Sequence, residues 1–101
     1  MRVKFDKQPE GIRTFFTGSI GDYSFDARVW PSNNPNAIDG KKITSLIIYD
    51  FDRIKFDGYK KSVRVCYELQ WFIEPEKFGM EMYYNVLYEK LIKLKVKKND
   101  K

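Results

Sequence analysis

Histidine is absent from this 101-residue chain, and cysteine occurs once, as Cys66. Without imidazole, Ser-His-Asp and Cys-His catalysis, histidine general bases and most zinc sites are excluded. A single thiol cannot form an intrachain disulfide. Cys66 sits within V-R-V-C-Y-E-L, where a small, inert strand residue is expected rather than a nucleophile. No G-x-x-x-x-G-K-[ST] or G-x-G-x-x-G pattern occurs, so phosphate-cradling loops lack a basis. No apolar run reaches the roughly 20 residues that span a bilayer. The start, M-R-V-K-F-D-K-Q, alternates charges where a signal peptide has an apolar core, so a cytoplasmic protein is expected. Together these absences point away from an enzyme, and no cofactor is expected.

What is present argues for one folded domain over residues 1–101. Hydrophobic residues make up 43% and aromatics 17%, enough for a single core. The net charge of +5 is unevenly placed. From Glu89 onward six lysines face two acids, so that end supplies +4 of the total and the body is almost neutral.

R-V-K-F-D-K is a short strand candidate, ended by Q-P-E-G. In I-R-T-F-F-T-G-S-I, residues Ile12, Thr14, Phe16, Gly18 and Ile20 share a face. A Gly-Asp turn signal follows, then Y-S-F-D-A-R-V-W, which alternates cleanly. Tyr23, Phe25, Ala27 and Val29 point one way, and Ser24, Asp26, Arg28 and Trp30 the other, as in a half-buried strand. The two runs predict an antiparallel hairpin. K-I-T-S-L-I-I-Y-D-F-D reads as a central strand, F-D-G-Y-K-K as a turn, and S-V-R-V-C-Y-E-L-Q-W as a further strand. Beyond it the period changes. Glu74-Pro75-Glu76 resembles a helix start, and Met80, Tyr84, Leu87, Leu91 and Leu94 recur at helical spacing. The expectation is an α+β fold in which an antiparallel sheet of four to five strands is covered on one face by a single C-terminal helix. Strands would occupy about residues 2–72, the helix about 75–96, and a basic tail 97–101. Burying four to six large side chains at about 1.5–3 kcal/mol each would drive the docking of that helix.

Asp50 and Asp52 lie two apart in a strand-like run and with Asp57 form the one acidic group that could face a metal ion. The glycine and distal glutamate of an EF-hand are missing, so solvated carboxylates near Arg53, Lys55, Lys60 and Lys61 are expected and no metal site is assigned. Glu74, Glu76 and Glu81 read as helix-start charges.

Binding is the remaining class. Trp30 lies on the polar side of its strand beside Arg28, followed by W-P-S-N-N-P-N-A-I-D-G-K-K, in which proline and asparagine fix turn geometry. Trp and Arg dominate interface energy. The candidate partner-binding residues are therefore Arg28, Trp30, Asn33, Asn34, Asn36, Lys41 and Lys42. The alternative is a nucleic-acid-binding accessory protein that stacks bases on aromatics and neutralises phosphates with Lys55, Lys60, Lys61, Arg64, Lys93, Lys97 and Lys98. A membrane partner is not expected, because the apolar residues of the lysine-rich end are needed against the sheet. One helix cannot cover both sheet faces, so a homodimer through the uncovered face or an edge strand is also admitted.

The order of T-G-S-I-G-D-Y-S-F-D-A-R-V-W, A-I-D-G-K-K-I-T-S-L-I-I and W-F-I-E-P resembles a small family of unknown function. Its members look like short proteins from phages and mobile elements of low-GC Gram-positive bacteria. The matching features are Gly18, Ile20, Tyr23, Phe25, Ala27, Val29, Gly40, Ile43, Leu46, Trp71 and Pro75, over about Phe15 to Leu94, with Phe51 to Tyr67 departing from the pattern. The resemblance implies stoichiometric binding to a host or defence-system protein in the bacterial cytoplasm, such as anti-CRISPR-like inhibition of a defence nuclease. The basic charge of this chain departs from a DNA-mimic mechanism.

Overall fold

The computed structural model describes residues 1–96; the basic tail 97–101 lies outside them. Six strands follow one another as β1 (Val3–Phe5), β2 (Phe15–Ile20), β3 (Tyr23–Val29), β4 (Ile43–Tyr49), β5 (Val63–Glu68) and β6 (Trp71–Ile73). Each pairs antiparallel with the next, so spatial order equals chain order. Two helices interrupt or end this meander, α1 (Ile54–Ser62) and α2 (Glu81–Ile92). The class is α+β as expected. The sheet, however, has six strands rather than four or five, and there are two helices rather than one.

The β2–β3 hairpin forms as its alternation predicts, with Ile20 opposite Tyr23 across the Gly21-Asp22 turn. Phe25, Ala27 and Val29 of β3 are fully buried, as are Leu46 and Ile48 of β4 and Val65 of β5. Leu87 and Leu91 of α2, four residues apart on one helix face, are fully buried in the same core cluster. Aromatic edges extend it. Tyr23 meets Tyr83 with centroids 5.0 Å apart, and Trp71 meets Tyr84 at 5.5 Å.

Three sequence readings give way. The strand predicted through Asp52 stops at Tyr49, and F-D-G-Y-K-K is not a turn but part of α1, kinked at Gly58. This excursion is closed at its base by the Asp50 N–H donating to the Ser62 carbonyl at 2.9 Å. It carries no apolar stripe, which is why helical periodicity did not reveal it; Tyr59 is its side chain on the sheet, against Tyr49 at 5.7 Å. The run Ser62–Trp71 is not one strand but a hairpin, β5 and β6, turning at Leu69 with φ 63°. No glycine marks that turn. Finally, the helix predicted from Pro75 begins at Glu81. Pro75–Phe78 forms a 3-10 segment, and Gly79 in a left-handed conformation (φ 68°) ends it before the chain restarts as α2.

Ile12 and Thr14 precede β2 rather than sharing its inward face. Gly18 in β2 lies where β1 crosses closest. A Cβ there would stand 1.9 Å from the Lys4 carbonyl oxygen and 2.9 Å from the Phe25 ring. Gly18→Ala should therefore destabilise the fold by about 1–3 kcal/mol. Urea unfolding should show this loss, with faster hydrogen exchange concentrated in β1. Leu69 presents the opposite case: its left-handed backbone costs ~1–2 kcal/mol, partly offset in glycine by its larger unfolded-state entropy of ~0.5–1 kcal/mol. Leu69→Gly should raise stability by ~0.5–1 kcal/mol, seen as a higher Tm, and an unchanged or lower Tm would contradict the strain.

Candidate protein-docking face

Because side chains alternate across a strand, the residues between the core positions of β2 to β5 form a second face. Every one of them except the exposed Arg28 and Glu68 is partly buried. Registers align them in rows. Phe15, Arg28, Ser45 and Glu68 lie across one end of the sheet, Thr17, Asp26, Ile47 and Cys66 across the middle, and Ser19, Ser24 and Tyr49 across the other end. Tyr59 of α1 stands beside Tyr49.

The middle row holds an unusual carboxylate. Asp26 is half-buried, and burial followed by the neighbouring Asp6 pushes its pKa above the ordinary 3.8. Asp6 itself accepts a hydrogen bond from the Thr17 hydroxyl at 2.8 Å. Among the described residues no cation forms an ion pair with Asp26; the ion pairs there are Arg53–Asp57 and Lys93–Glu89. Burial also raises Tyr49, Tyr59 and Cys66, the last with help from Glu68. The phenols are thus neutral donors, and the thiol is protonated near neutral pH and poorly nucleophilic.

At the end row, Arg28 is fixed. Its Nη1 donates to Thr14 Oγ1 at 3.1 Å, and its guanidinium lies 5.6 Å from the centroid of the Phe15 ring. The β3–β4 register slips here, with Arg28 opposite Ser45 but Val29 opposite Ile43, so Thr44 is an extra, buried residue. Its hydroxyl accepts the Trp30 indole N–H at 2.8 Å. Trp30 is locked in place yet 37% exposed. With Gly11, Ile12, Arg13, Thr14, Arg28 and Pro31 it lines a groove of about 480 Å³.

The predicted partner-binding residues divide. Arg28 and Trp30 come together in this groove. Asn34 and Asn36 build the loop: the Asn36 N–H donates to Asn34 Oδ1 at 2.8 Å, the Asn34 N–H to the Lys41 carbonyl at 2.6 Å, and the Tyr67 hydroxyl to the Asn36 carbonyl at 2.7 Å. The loop's Ala37 and Ile38 are buried, so this segment is ordered and anchored. Asn33 and Lys41 are exposed on it, and the Lys42 carbonyl accepts the Trp30 backbone N–H at 2.8 Å.

The alternative cations sit on separate elements. Lys55, Lys60 and Lys61 ride on α1, next to Phe56 at 81% exposure and near Phe51 and Tyr59. Arg64 in β5 donates to the Lys61 carbonyl at 2.7 Å and lies over the Phe78 ring. Lys93, just past α2, pairs with Glu89 at 3.7 Å. Lys97 and Lys98 lie outside the described residues.

Sequence reading missed Ile12 and Pro31 as groove walls and gave Asp26 no role. The alternation of β3 had already set Asp26 on the same side as Arg28, which is the signal that could have found it. Among the described residues no three acidic or sulfur side chains are grouped to hold a metal ion, and no helix is long and apolar enough to cross a membrane. Asp57 is taken by Arg53 at 3.1 Å.

Comparison with protein-family models, with curated proteins and with solved structures finds no match to this chain. The resemblance to phage and mobile-element proteins gains no support from these comparisons and rests on the sequence features alone.

The Asp26 shift fixes a pH dependence. Its folded-state pKa lies above the unfolded value, so the folded state holds the proton more tightly. Stability then falls as pH rises through the window between the two values and stays lowered above it. Asp26→Asn should be more stable than wild type at pH 7 and lose that advantage below about pH 3, where both forms are uncharged at this position. Urea unfolding at the two pH values checks the sign.

Proposed function

We propose that this chain is a non-catalytic binding protein that associates stoichiometrically with another protein through the open face of its sheet. In this reading α2 is the cover of the opposite face, and the surface from Arg28 to Tyr59 is left for the partner. The observation that carries it is the charge layout of that face. A half-buried carboxylate, Asp26 beside Asp6, has no cation, and the guanidinium of Arg28 has no carboxylate among the described residues. A partner bringing a cation to the first and a carboxylate to the second relieves both. A nucleic-acid backbone, uniformly anionic, meets repulsion at the centre. Ile47, Phe15 and Trp30 supply apolar and aromatic contact area of the kind that anchors interfaces.

A host or defence-system protein as the partner, and inhibition of a defence nuclease as the outcome, follow from the resemblance to phage-type proteins. A second copy of the chain on the same face is the competing occupant, and sedimentation at several concentrations separates it from a foreign partner. The nucleic-acid reading is favoured by one feature, the exposed Phe51, Phe56 and Tyr59 beside Lys55, Lys60 and Lys61. It places the contact on α1 rather than on the sheet. An electrophoretic shift that appears at low salt and weakens by orders of magnitude between about 50 and 200 mM salt marks it.

Affinity capture from a bacterial lysate, scored by a stoichiometric band, tests the main reading. Ile47→Lys should reduce capture by about tenfold or more, with the circular-dichroism spectrum and Tm retained, since Ile47 lies outside the core. Capture equal to wild type by this folded variant overturns the assignment of the face.

A further inference from the structure

The groove at the end of the sheet has a composition that specifies what enters it. Ile12, exposed by 43%, and Pro31 form apolar walls with the Trp30 indole. At one side stands the Arg28 guanidinium, whose Nη1 is held by Thr14 while its other N–H groups are uncommitted to any carboxylate among the described residues. Arg13 lines the same groove. Glu68, the acid in the row of Arg28, is two strands away and accepts the Ser45 hydroxyl.

Hydrogen bonds hold the groove's walls in place. The Val29 N–H donates to the Thr14 carbonyl at 2.7 Å, tying Thr14 to β3, and the Ile12 N–H donates to the Pro9 carbonyl at 3.2 Å, closing the turn that leads into it. Thr44 locks the indole. A pre-set guanidinium and ring lose little freedom on binding, and a volume of about 480 Å³ falls within the ~300–1,000 Å³ of small-ligand sites.

We infer that this groove is the anchor point for an acidic peptide segment of the partner, in which an Asp or Glu carboxylate pairs with Arg28 while the adjacent apolar side chain packs between Trp30, Ile12 and Pro31. The inference rests on the protein-binding reading and names the chemistry that reading leaves open. The flat fork of a guanidinium matches a carboxylate through paired N–H bonds. The apolar walls select a carboxylate that carries a side chain beside it, over a bare phosphate.

The test uses the full chain labelled with nitrogen-15 and two probes, acetyl-Leu-Asp-Leu-amide and acetyl-Leu-Asn-Leu-amide. The acidic peptide should shift the Trp30 indole resonance and the amides of Ile12 to Thr14, and should bind about tenfold more tightly than its neutral twin, the scale of a charge-assisted pair. Arg28→Gln should abolish the difference between the two peptides. Trp30→Phe, which keeps a ring, should retain the preference while weakening both. Equal binding of the two peptides to wild type overturns the inference, as does the absence of shifts. An oligothymidine that moves these resonances more strongly than the acidic peptide also overturns it. Failure of the peptide with capture that still depends on Ile47 removes the groove assignment alone. Peptide binding together with capture indifferent to Ile47 removes the sheet-face reading and leaves the groove.

Discussion

The pairing of β3 with β4 governs most of what the molecule presents. A period of two along each strand means that one register sends Phe25, Ala27, Leu46 and Ile48 inward and leaves Asp26, Arg28, Ser45 and Ile47 outward. A slip of one residue would reverse every one of these assignments, burying charge and exposing the core. The register does slip, but only at the end, between Arg28 and Val29. That local bulge adds Thr44 as an unpaired residue. Its hydroxyl holds the Trp30 indole and its carbonyl accepts the Leu69 N–H at 3.0 Å. One backbone irregularity thus fixes the groove ring and the β5–β6 turn together.

Two places where the chain forgoes stability are tied to β3 and β4. Asp26 is desolvated beside a like charge, and Leu69 sits in a conformation that glycine would occupy at less cost. Leu69 is tied to Thr44 by its backbone, so its strain belongs to the same bulge that sets Trp30. Local rules are often broken where a site is built; Asp26 lies on the face that carries Arg28, and Leu69 is bonded to the bulge residue that holds Trp30. The core cluster itself is apolar: Phe25, Ala27, Leu46, Ile48 and Val65 share it with Leu87 and Leu91.

Legibility in the sequence followed the strength of periodicity. Tyr23 to Val29 alternated without exception, so the hairpin, the core positions of β3 and the outward placement of Arg28 could be read directly. The segment Phe51 to Ser62 carried a glycine and clustered charges that mimic a turn, and its helix is held by a backbone closure between Asp50 and Ser62, which leaves no pattern in the side chains. The β5–β6 hairpin was invisible because Leu69 supplies the positive φ that normally advertises itself as glycine or asparagine. The helix start was misplaced because Pro75 and its flanking acids mark the 3-10 turn, and Gly79 marks its end. For the candidate groove, residue type led to Arg28 and Trp30, while Asn34 and Asn36, chosen with them, form bonds within the loop. Ile12 and Asp26 acquire meaning only once β2, β3 and β4 are laid side by side.

In the proposed reading, the chemistry of the second sheet face also bears on the kind of association it would support. Thr17, Ser19, Ser24 and Ser45 keep hydroxyls along it, and Ile47 stands among them as a partly buried aliphatic residue. Such a mixed surface is more polar than the interfaces of obligate dimers. The edge strands β1 and β6 are only three residues each, too short to template much further strand pairing. Both features suit a chain that folds on its own and, in the proposed reading, meets a partner afterwards. Specificity in that reading would come from a few groups rather than from area. In the proposed reading the Arg28 guanidinium, the Trp30 ring held by Thr44 and the Asp26 carboxylate would be those groups, and their opposite charges would set which way round a partner lies.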